Sequence, residues 1–278
     1  MLTDGTVLVT IPLPPNVSLA NDPDARSVVV RRGIPSTLNT PALDPVLMSD
    51  GRDPNLRIQA ANAIRSHYQS NQAPNHVDLE RIAQFQRSDS FFSSPALRNF
   101  ALSGTPPPLP AGTTASEKRG RRFFEDVPLT GDQKAGSCAV CHSGPMLNQT
   151  NAFLPLPVVP GSRFQSVAVS EFNTANNPVR EFIFENPDGI KTIVRSPDPG
   201  RALITGDARA FPGDQLNAFK IPPLRGIRRT APYFHDNSAK TLEDVAAHYA
   251  RFFKLISASL ILTPQDQADI VAFMKLLD

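Results

Sequence analysis

Apolar positions come first in short runs. Val7-Leu8-Val9 and Val28-Val29-Val30 are β-branched clusters bounded by Pro, Asn, Asp and Gly, and they predict broken, strand-like structure within residues 1–40. After the turn Ser49-Asp50-Gly51-Arg52-Asp53-Pro54 the period changes. Ile58, Ala61, Ile64 and Arg65 fall at helical spacing and predict a helix over residues 56–68, and a second short helix is predicted over 77–85, with Pro74 or Asn75 near its start. Ser103–Thr113 (SGTPPPLPAGT) reads as a semi-rigid Pro/Gly linker, and the main domain boundary is placed there. Beyond it, Ser116 can cap a helix running through Phe124, and 125–137 reads as a loop into Cys138. Residues 148–230, rich in Pro, Gly and Asn, read mostly as loop. Residues 241–260 form a clear amphipathic pattern, with Leu242, Val245, Ala246, Tyr249, Phe252 and Phe253 on one face and Thr241 with Glu243-Asp244 at its start. Thr263-Pro264 opens a last helix with Pro at its first position, turning Ile270, Ala272, Phe273 and Leu276 inward. No internal repeat is visible.

Composition narrows the class. Hydrophobic residues make up 40% of the 278 and charged residues 19%, enough for a real core and against wholesale disorder. A net charge of +2 gives no argument for nucleic acid or an anionic membrane. Pro accounts for 28 residues, about twice its ordinary ~5% share, which implies short helices, long loops and little continuous sheet. The N-terminus has no basic and apolar signal pattern, and no apolar run approaches the ~18 residues of a membrane span. Taken alone, these features read as a soluble, cytoplasmic chain. Trp is absent and there are only two Cys, too few for a disulfide scaffold or a four-thiolate zinc site.

Both cysteines fall in Cys138-Ala139-Val140-Cys141-His142, a C-x-x-C-H pattern. A redox dithiol should follow a strand and open a long helix, whereas Ser143-Gly144-Pro145 stops one here. A zinc site would need further ligands nearby. The favoured reading is covalent c-type haem attachment: two thiols on one short turn each add to a haem vinyl group, and the adjacent His142 is aimed at the iron. Gly120 and Phe123-Phe124 one loop earlier, and the closing helix with Ile270, Phe273 and Leu276, suit a cytochrome c domain over 114–278. The expected fold is therefore mainly α, with cytochrome c-like helical domains, long loops and little sheet.

Several separated motifs carry a family resemblance. Cys141-His142-Ser143-Gly144-Pro145, Asp198-Pro199-Gly200-Arg201, Thr205-Gly206-Asp207, Phe219 to Arg225 (FKIPPLR), Thr230 to Asp236 (TAPYFHD), Thr241-Leu242-Glu243 and Ile270 to Leu276 (IVAFMKL) resemble the C-terminal haem domain of the dihaem cytochrome c peroxidase/MauG family. Arg32 to Asn39 (RGIPSTLN), Asp50-Gly51-Arg52 and Gln59-Ala60 resemble the end of that family's N-terminal haem domain. The match runs from about residue 31 to 278. It implies that 1–102 is a remnant of the first domain without its haem motif, that 103–113 is the linker, and that 114–278 is a cytochrome c domain with one covalent haem. Members carry two C-x-x-C-H motifs; the second would lie upstream of Met1, so the expectation is a truncated chain or a one-haem variant. Covalent haem attachment implies a periplasmic location.

The resemblance also implies roles. Opposite His142, the family's second haem takes a Met, or in MauG a Tyr, on the helix after the T-x-P-Y-F-H segment; the matching residue is Tyr249, with His248 the runner-up. Met146 lies too close to His142 along the chain, and Met48 and Met274 read as structural. His235 is a candidate partner of a propionate or second haem. Arg225 is a candidate propionate partner, since a planar guanidinium suits a carboxylate. His67 and His76 read as surface or structural residues. The peroxidatic members carry a Gln and, ten residues on, a Glu as acid/base. Gln59 matches the Gln, but Gln69 stands at the Glu position, and an amide cannot shuttle a proton as a carboxylate does. Ser49 stands where the family has a Trp between the haems. The family's calcium site uses an Asn, matched here by Gly33, and carbonyls matched by Thr230 and Pro232. The implied activities are electron transfer and peroxide-dependent oxidation, with a small redox protein as donor or acceptor and hydrogen peroxide as oxidant; the competing reading is a non-catalytic c-type electron carrier.

Overall fold

The computed structural model describes residues 4–39, 42–68, 72–92, 94–129, 134–153, 159–209 and 215–277. Along the chain come β1 (Thr6–Pro12), β2 (Val17–Leu19), β3 (Ser27–Gly33), α1 (Leu56–Tyr68), α2 (His76–Gln86), α3 (Pro95–Ser103) and α4 (Ala115–Arg121). They are followed by β4 (Phe164–Gln165), α5 (Val169–Phe172), β5 (Arg180–Glu185), β6 (Lys191–Ser196), α6 (Ala202–Thr205), β7 (Phe219–Lys220), α7 (Leu242–Ile256) and α8 (Pro264–Met274).

The expectation of a mainly α fold with little sheet is overturned. The structure is 32% helix and 17% strand. Its strands form three small sheets, ordered β1-β3, β2-β5-β6 and β4-β7. The stretch 148–230 therefore contains regular structure that its Pro and Asn content hides. β5 and β6 pair antiparallel from Arg180↔Ser196 to Glu185↔Lys191, and β2 pairs with β5 through Val17↔Phe184. The cause is alternation: Phe182 and Phe184 point inward, fully buried, and pack with Ile11, Val17, Val28, Val30, Val194 and Leu203. β1 and β3, the two β-branched runs, pair from Thr6↔Gly33 to Pro12↔Ser27 and supply one wall of that core.

The helices after the linker form a second core. Their ends are set by capping boxes: Thr114 with Glu117, Thr241 with Asp244, and Thr263 with Asp266. Thr114, rather than Ser116, caps α4, and the Ser116 hydroxyl instead donates to Asp269 at 2.6 Å. A single 3₁₀ turn, Arg122–Phe124, continues α4. Helix α7 stops at Ile256, short of Leu260, because Ser257 turns extended. Helices α4 and α8 cross at Gly120, where a Cβ would lie 1.9 Å from the Asp269 carbonyl oxygen, so only glycine fits. Phe124 and Phe273 lie against each other at 5.2 Å, and Arg119 donates two hydrogen bonds to Asp269. Buried Phe123, Leu147, Leu224, Ile227, Ala246, Phe253, Ile270 and Met274 complete this core.

A buried charge cluster joins the first segment to the second. Arg32 on β3 donates to both Asp198 oxygens at 2.7 and 2.8 Å and also bonds Asp50. All three side chains are essentially inaccessible. Burial opposes each charge, but the mutual attraction outweighs it: the pKa of Arg32 is raised and those of Asp50 and Asp198 are lowered. No helix among the described residues is long and apolar enough to cross a membrane.

Candidate haem site

The C-x-x-C-H segment is a tight helical turn held by main-chain bonds. The Phe123 carbonyl at the end of α4 accepts from Cys138 N (2.9 Å) and Ala139 N (3.1 Å), and Cys138 O accepts from His142 N (2.9 Å). The α4–α8 crossing thus fixes the turn. A second loop follows, closed by Ser143 N donating to Gln149 O (2.8 Å) and Asn148 N to Ser143 O (3.1 Å). Leu147 within it takes the left-handed conformation, φ 55°, and its carbonyl lies 2.8 Å from His142 Nδ1. Burial pushes the His142 pKa down to about 4, outweighing that carbonyl, so the ring is neutral near pH 7. A neutral ring donating through Nδ1 leaves the Nε2 lone pair free, which is how metal-binding histidines are set.

Cys138, Cys141 and His142 line a cavity of about 250 Å³ whose walls include Leu224, Ile227, Val245, Phe253, Ile270 and Met274. Burial pushes the Cys138 thiol up to about 12, so it is a protonated thiol rather than a reactive thiolate. Tyr249 enters the same cavity from α7, its ring against Phe253 at 5.8 Å and Phe252 at 6.3 Å. Its hydroxyl has no hydrogen-bond partner among the described residues. Burial, then the Cys141 and Cys138 thiols, raise its pKa. Two thiols, a histidine with a free Nε2 and an unpaired phenol in one apolar chamber fit a covalently held haem.

No family model matches the chain. A 144-residue segment, 52% of the chain, is 29% identical to the cytochrome c551 peroxidase of Nitrosomonas europaea and covers 31% of that protein. Another, of 165 residues and 59% of the chain, is 27% identical to the cytochrome c peroxidase Ccp of Escherichia coli and covers 26% of it. Over these segments the chain is a homologue of cytochrome c peroxidases. The matched part spans less than a third of each of these relatives. Among solved structures, a MauG-like protein associated with microbial copper homeostasis superposes with a TM-score of 0.55 at 23% identity, over 90% of this chain and 74% of that one, which establishes the shared fold.

Other residues matched to this peroxidase/MauG group divide into those in the chamber and those outside it. His235, Arg225, Thr230, Pro232 and Ser49 line the cavity. The His235 ring stacks on Phe219 at 3.4 Å and 6°, and burial pushes its pKa down to about 4 against the pull of Asp198 and Asp236. Arg225 bonds the main chain: its guanidinium donates to the carbonyls of Pro145 (3.3 Å), Pro108 (3.3 Å) and Pro107 (2.5 Å). It clamps the linker to the loop after His142, and burial lowers its pKa, with no carboxylate among the described residues in contact. His248 Nε2 lies 2.8 Å from the Val167 carbonyl and His248 does not line the cavity. Gln59 on α1 also stands outside it, Gln69 lies outside the described residues, and His76 is exposed. Met146 is buried with Phe92 and Leu97 away from the cavity, whereas Met274 is part of its wall. Sequence reasoning missed Phe219, Gln165 and Val167 as wall residues; the short β4–β7 pairing that places them, Gln165↔Phe219, spans two residues and leaves no periodic signal.

Proposed function

We propose that the chain is a periplasmic c-type haem protein that transfers electrons, in which Cys138 and Cys141 would hold one haem covalently and His142 Nε2 and the Tyr249 phenol would supply ligands to its iron. The observation that carries this reading is the convergence of the two thiols, the Leu147-oriented His142 and the unpaired Tyr249 hydroxyl on one apolar chamber. When bound, the haem supplies one-electron redox chemistry at its iron. The chain's residues supply the rest. The Leu147 carbonyl fixes the His142 tautomer, the α4–α8 crossing positions the thiols, and the apolar wall excludes water. Bound to iron, the Tyr249 phenol would give up its proton and, as a phenolate, would favour the ferric state and a lower potential than a Met ligand. Buried Arg225, with no acidic partner among the described residues, gives the chamber a positive charge that suits a haem propionate.

The activity class turns on proton handling. No Asp or Glu is among the residues lining the chamber, and Gln59 stands outside it. That favours electron transfer to and from a small redox protein over rapid peroxide turnover, although the relatives are peroxidases by name. Calcium is a further component of this reading, at Thr230 and Pro232.

Protein made with the cytochrome c maturation machinery should show a covalent haem band on a denaturing gel, lost in the double variant Cys138→Ala/Cys141→Ala. Tyr249→Phe should change the haem absorption spectrum and raise the potential; an unchanged spectrum and potential would remove Tyr249 as ligand. Steady oxidation of an electron donor by hydrogen peroxide would assign the peroxidase activity, and a simple change of redox state the carrier.

A further inference from the structure

The second half of α7 has two faces. Phe252 and Phe253 line the chamber, as does Leu262 beyond the helix, and Phe253, Leu260 and Leu262 pack into the surrounding core. The residues between them turn outward. Leu255 is 67% exposed, Ile256 55% and Ile261 55%. Three large aliphatic side chains thus stand in solvent on the last turn of α7 and the connection to α8, next in sequence to the chamber wall. Apolar groups gathered this way and rimmed by polar ones mark contact surfaces.

The charge around them has one sign. From residue 251 to 262 the charged side chains are Arg251 and Lys254, both exposed. Arg251 lies over the Phe172 ring at 3.6 Å, which fixes its position, and neither cation forms an ion pair among the described residues. The basic residues near the haem turn differ: Arg119 pairs with Asp269, Arg121 with Glu125 and Lys134 with Asp266. The acids of α7 sit at its other end, where Asp244 serves the cap and Glu243 pairs with Lys275. Ten residues of helix put Asp244 about 15 Å from Lys254, beyond the screening length of about 8 Å at physiological salt. Lys254 also offsets the carbonyl end of α7, but that accounts for neither Arg251 nor the exposed aliphatics.

We propose that this end of α7 is the docking surface for a small redox protein with an acidic face, an inference that rests on the electron-transfer reading above. Arg251 and Lys254 draw the acidic face in, and Leu255, Ile256 and Ile261 are covered in the complex. Phe252 stands one turn from Tyr249, its ring 6.3 Å away and edge-on, so the surface adjoins the chamber. One electron is exchanged, given up by one metal centre and taken by the other. A small apolar centre with a charged rim suits such encounters, which bury less than about 1,200 Å² and must release quickly.

The probe is oxidised plastocyanin, a small blue-copper protein with an acidic face, mixed with reduced holoprotein in a stopped-flow cell. Haem absorbance follows the electron to copper. From about 10 to about 150 mM salt the screening length falls from about 30 to about 8 Å, and the second-order rate should fall about tenfold or more. Arg251→Gln/Lys254→Gln should lower the low-salt rate about tenfold and flatten its salt dependence. Ile261→Asp should lower the rate with the haem spectrum unchanged. Lys118→Gln/Arg122→Gln, on the α4 side, should leave it as it is. Amide NMR shifts on adding reduced plastocyanin should concentrate at residues 251–262. A rate that is flat or rises with salt, α7 variants that react as wild type does, an α4 pair that slows the reaction as much, or shifts centred elsewhere overturns the proposal. So does binding to phosphatidylglycerol vesicles that the α7 pair abolishes while its rate with plastocyanin is unmoved, which would assign the surface to an anionic membrane. The covalent haem band is read on the same samples: haem present with any of these outcomes overturns this inference alone, whereas no covalent haem overturns the reading beneath it.

Discussion

Gly120→Ala tests whether the helix crossing presents the haem turn. An alanine Cβ would lie 1.9 Å from Asp269 O, 2.6 Å from Asp269 C and 2.8 Å from Phe273 Cβ. An unstrained carbon–oxygen contact needs about 3.3 Å, so α4 and α8 must part by about 1.4 Å. The obstacle is main chain and cannot rotate aside, which puts the strain at the upper end of overpacking costs, about 3 kcal/mol. Alanine's better helix propensity returns about 1 kcal/mol. The expected net loss is about 2 kcal/mol. Parting the helices also loosens the Phe124–Phe273 contact and the Arg119 and Ser116 bonds to Asp269. Because Phe123 O carries the amides of Cys138 and Ala139, the turn should shift with α4 and covalent haem yield should fall. Urea titration of the holoprotein, followed by circular dichroism and haem absorbance, measures the first effect, and the haem band on a denaturing gel the second. A midpoint equal to or above wild type, with full haem, would refute the reasoning, since that is how an exposed helical glycine behaves.

Arg32→Met should cost about 3–5 kcal/mol, because it leaves buried Asp198 without its cation and Asp50 with Arg52 alone; urea titration checks it, and a loss below about 1 kcal/mol would show that water reaches these carboxylates. Glu117 should titrate well below an ordinary glutamate: hydrogen bonds from the Thr114 and Thr113 amides and the Thr113 hydroxyl hold its pKa near 2 against 4.5. A depressed pKa means that the cap's contribution is full above pH 4.5 and is lost as pH falls through about 2. Carboxyl carbon shifts followed by NMR across that range would show it, with Glu117→Gln removing the pH dependence; a midpoint near 4.5 would mean that the box does not persist in solution.

Local patterns in the sequence reached the helices and the turn. α1 has the bounds its apolar spacing predicts, α7 and α8 begin at their Thr caps, and Gly120 with Phe124 meets α8 as a cytochrome c domain requires. The Thr114 cap was also legible, since Glu117 stands three residues on, but Ser116 competed for the role. What could not be read is what depends on distant partners. Val17 and Phe184 are 167 positions apart, and nothing in REFIFE says that β2 will cover it. Arg32, read only as part of a motif, turns out to join the Asp50-Gly51-Arg52 and Asp198-Pro199-Gly200-Arg201 motifs at one buried point. Arg225 shows the opposite limit: its type suggested a propionate partner, and nothing in the sequence said that its guanidinium would also donate to three proline carbonyls.

The first hundred residues do two different things at the chamber. Gly33 to Ser36, Leu38 and Ser49 form part of its wall. They are tied to the second segment by the Arg32 cluster, by Asn177 bonding both the amide and the carbonyl of Arg31, and by Asn237 on the Asp4 carbonyl. α1 and α2 line none of it. The departures from the family pattern follow the same division. Gly33 sits in the wall, and the carboxamide of Asn237 fills the space a side chain there would take. Gln59 belongs to a helix that does not reach the wall, so changing it should leave the spectrum of a haem held by Cys138, Cys141 and His142 as it is. A substitution in the wall, whichever segment it comes from, should register in that spectrum, because what couples a residue to the haem is its place on the chamber rather than its side of the linker.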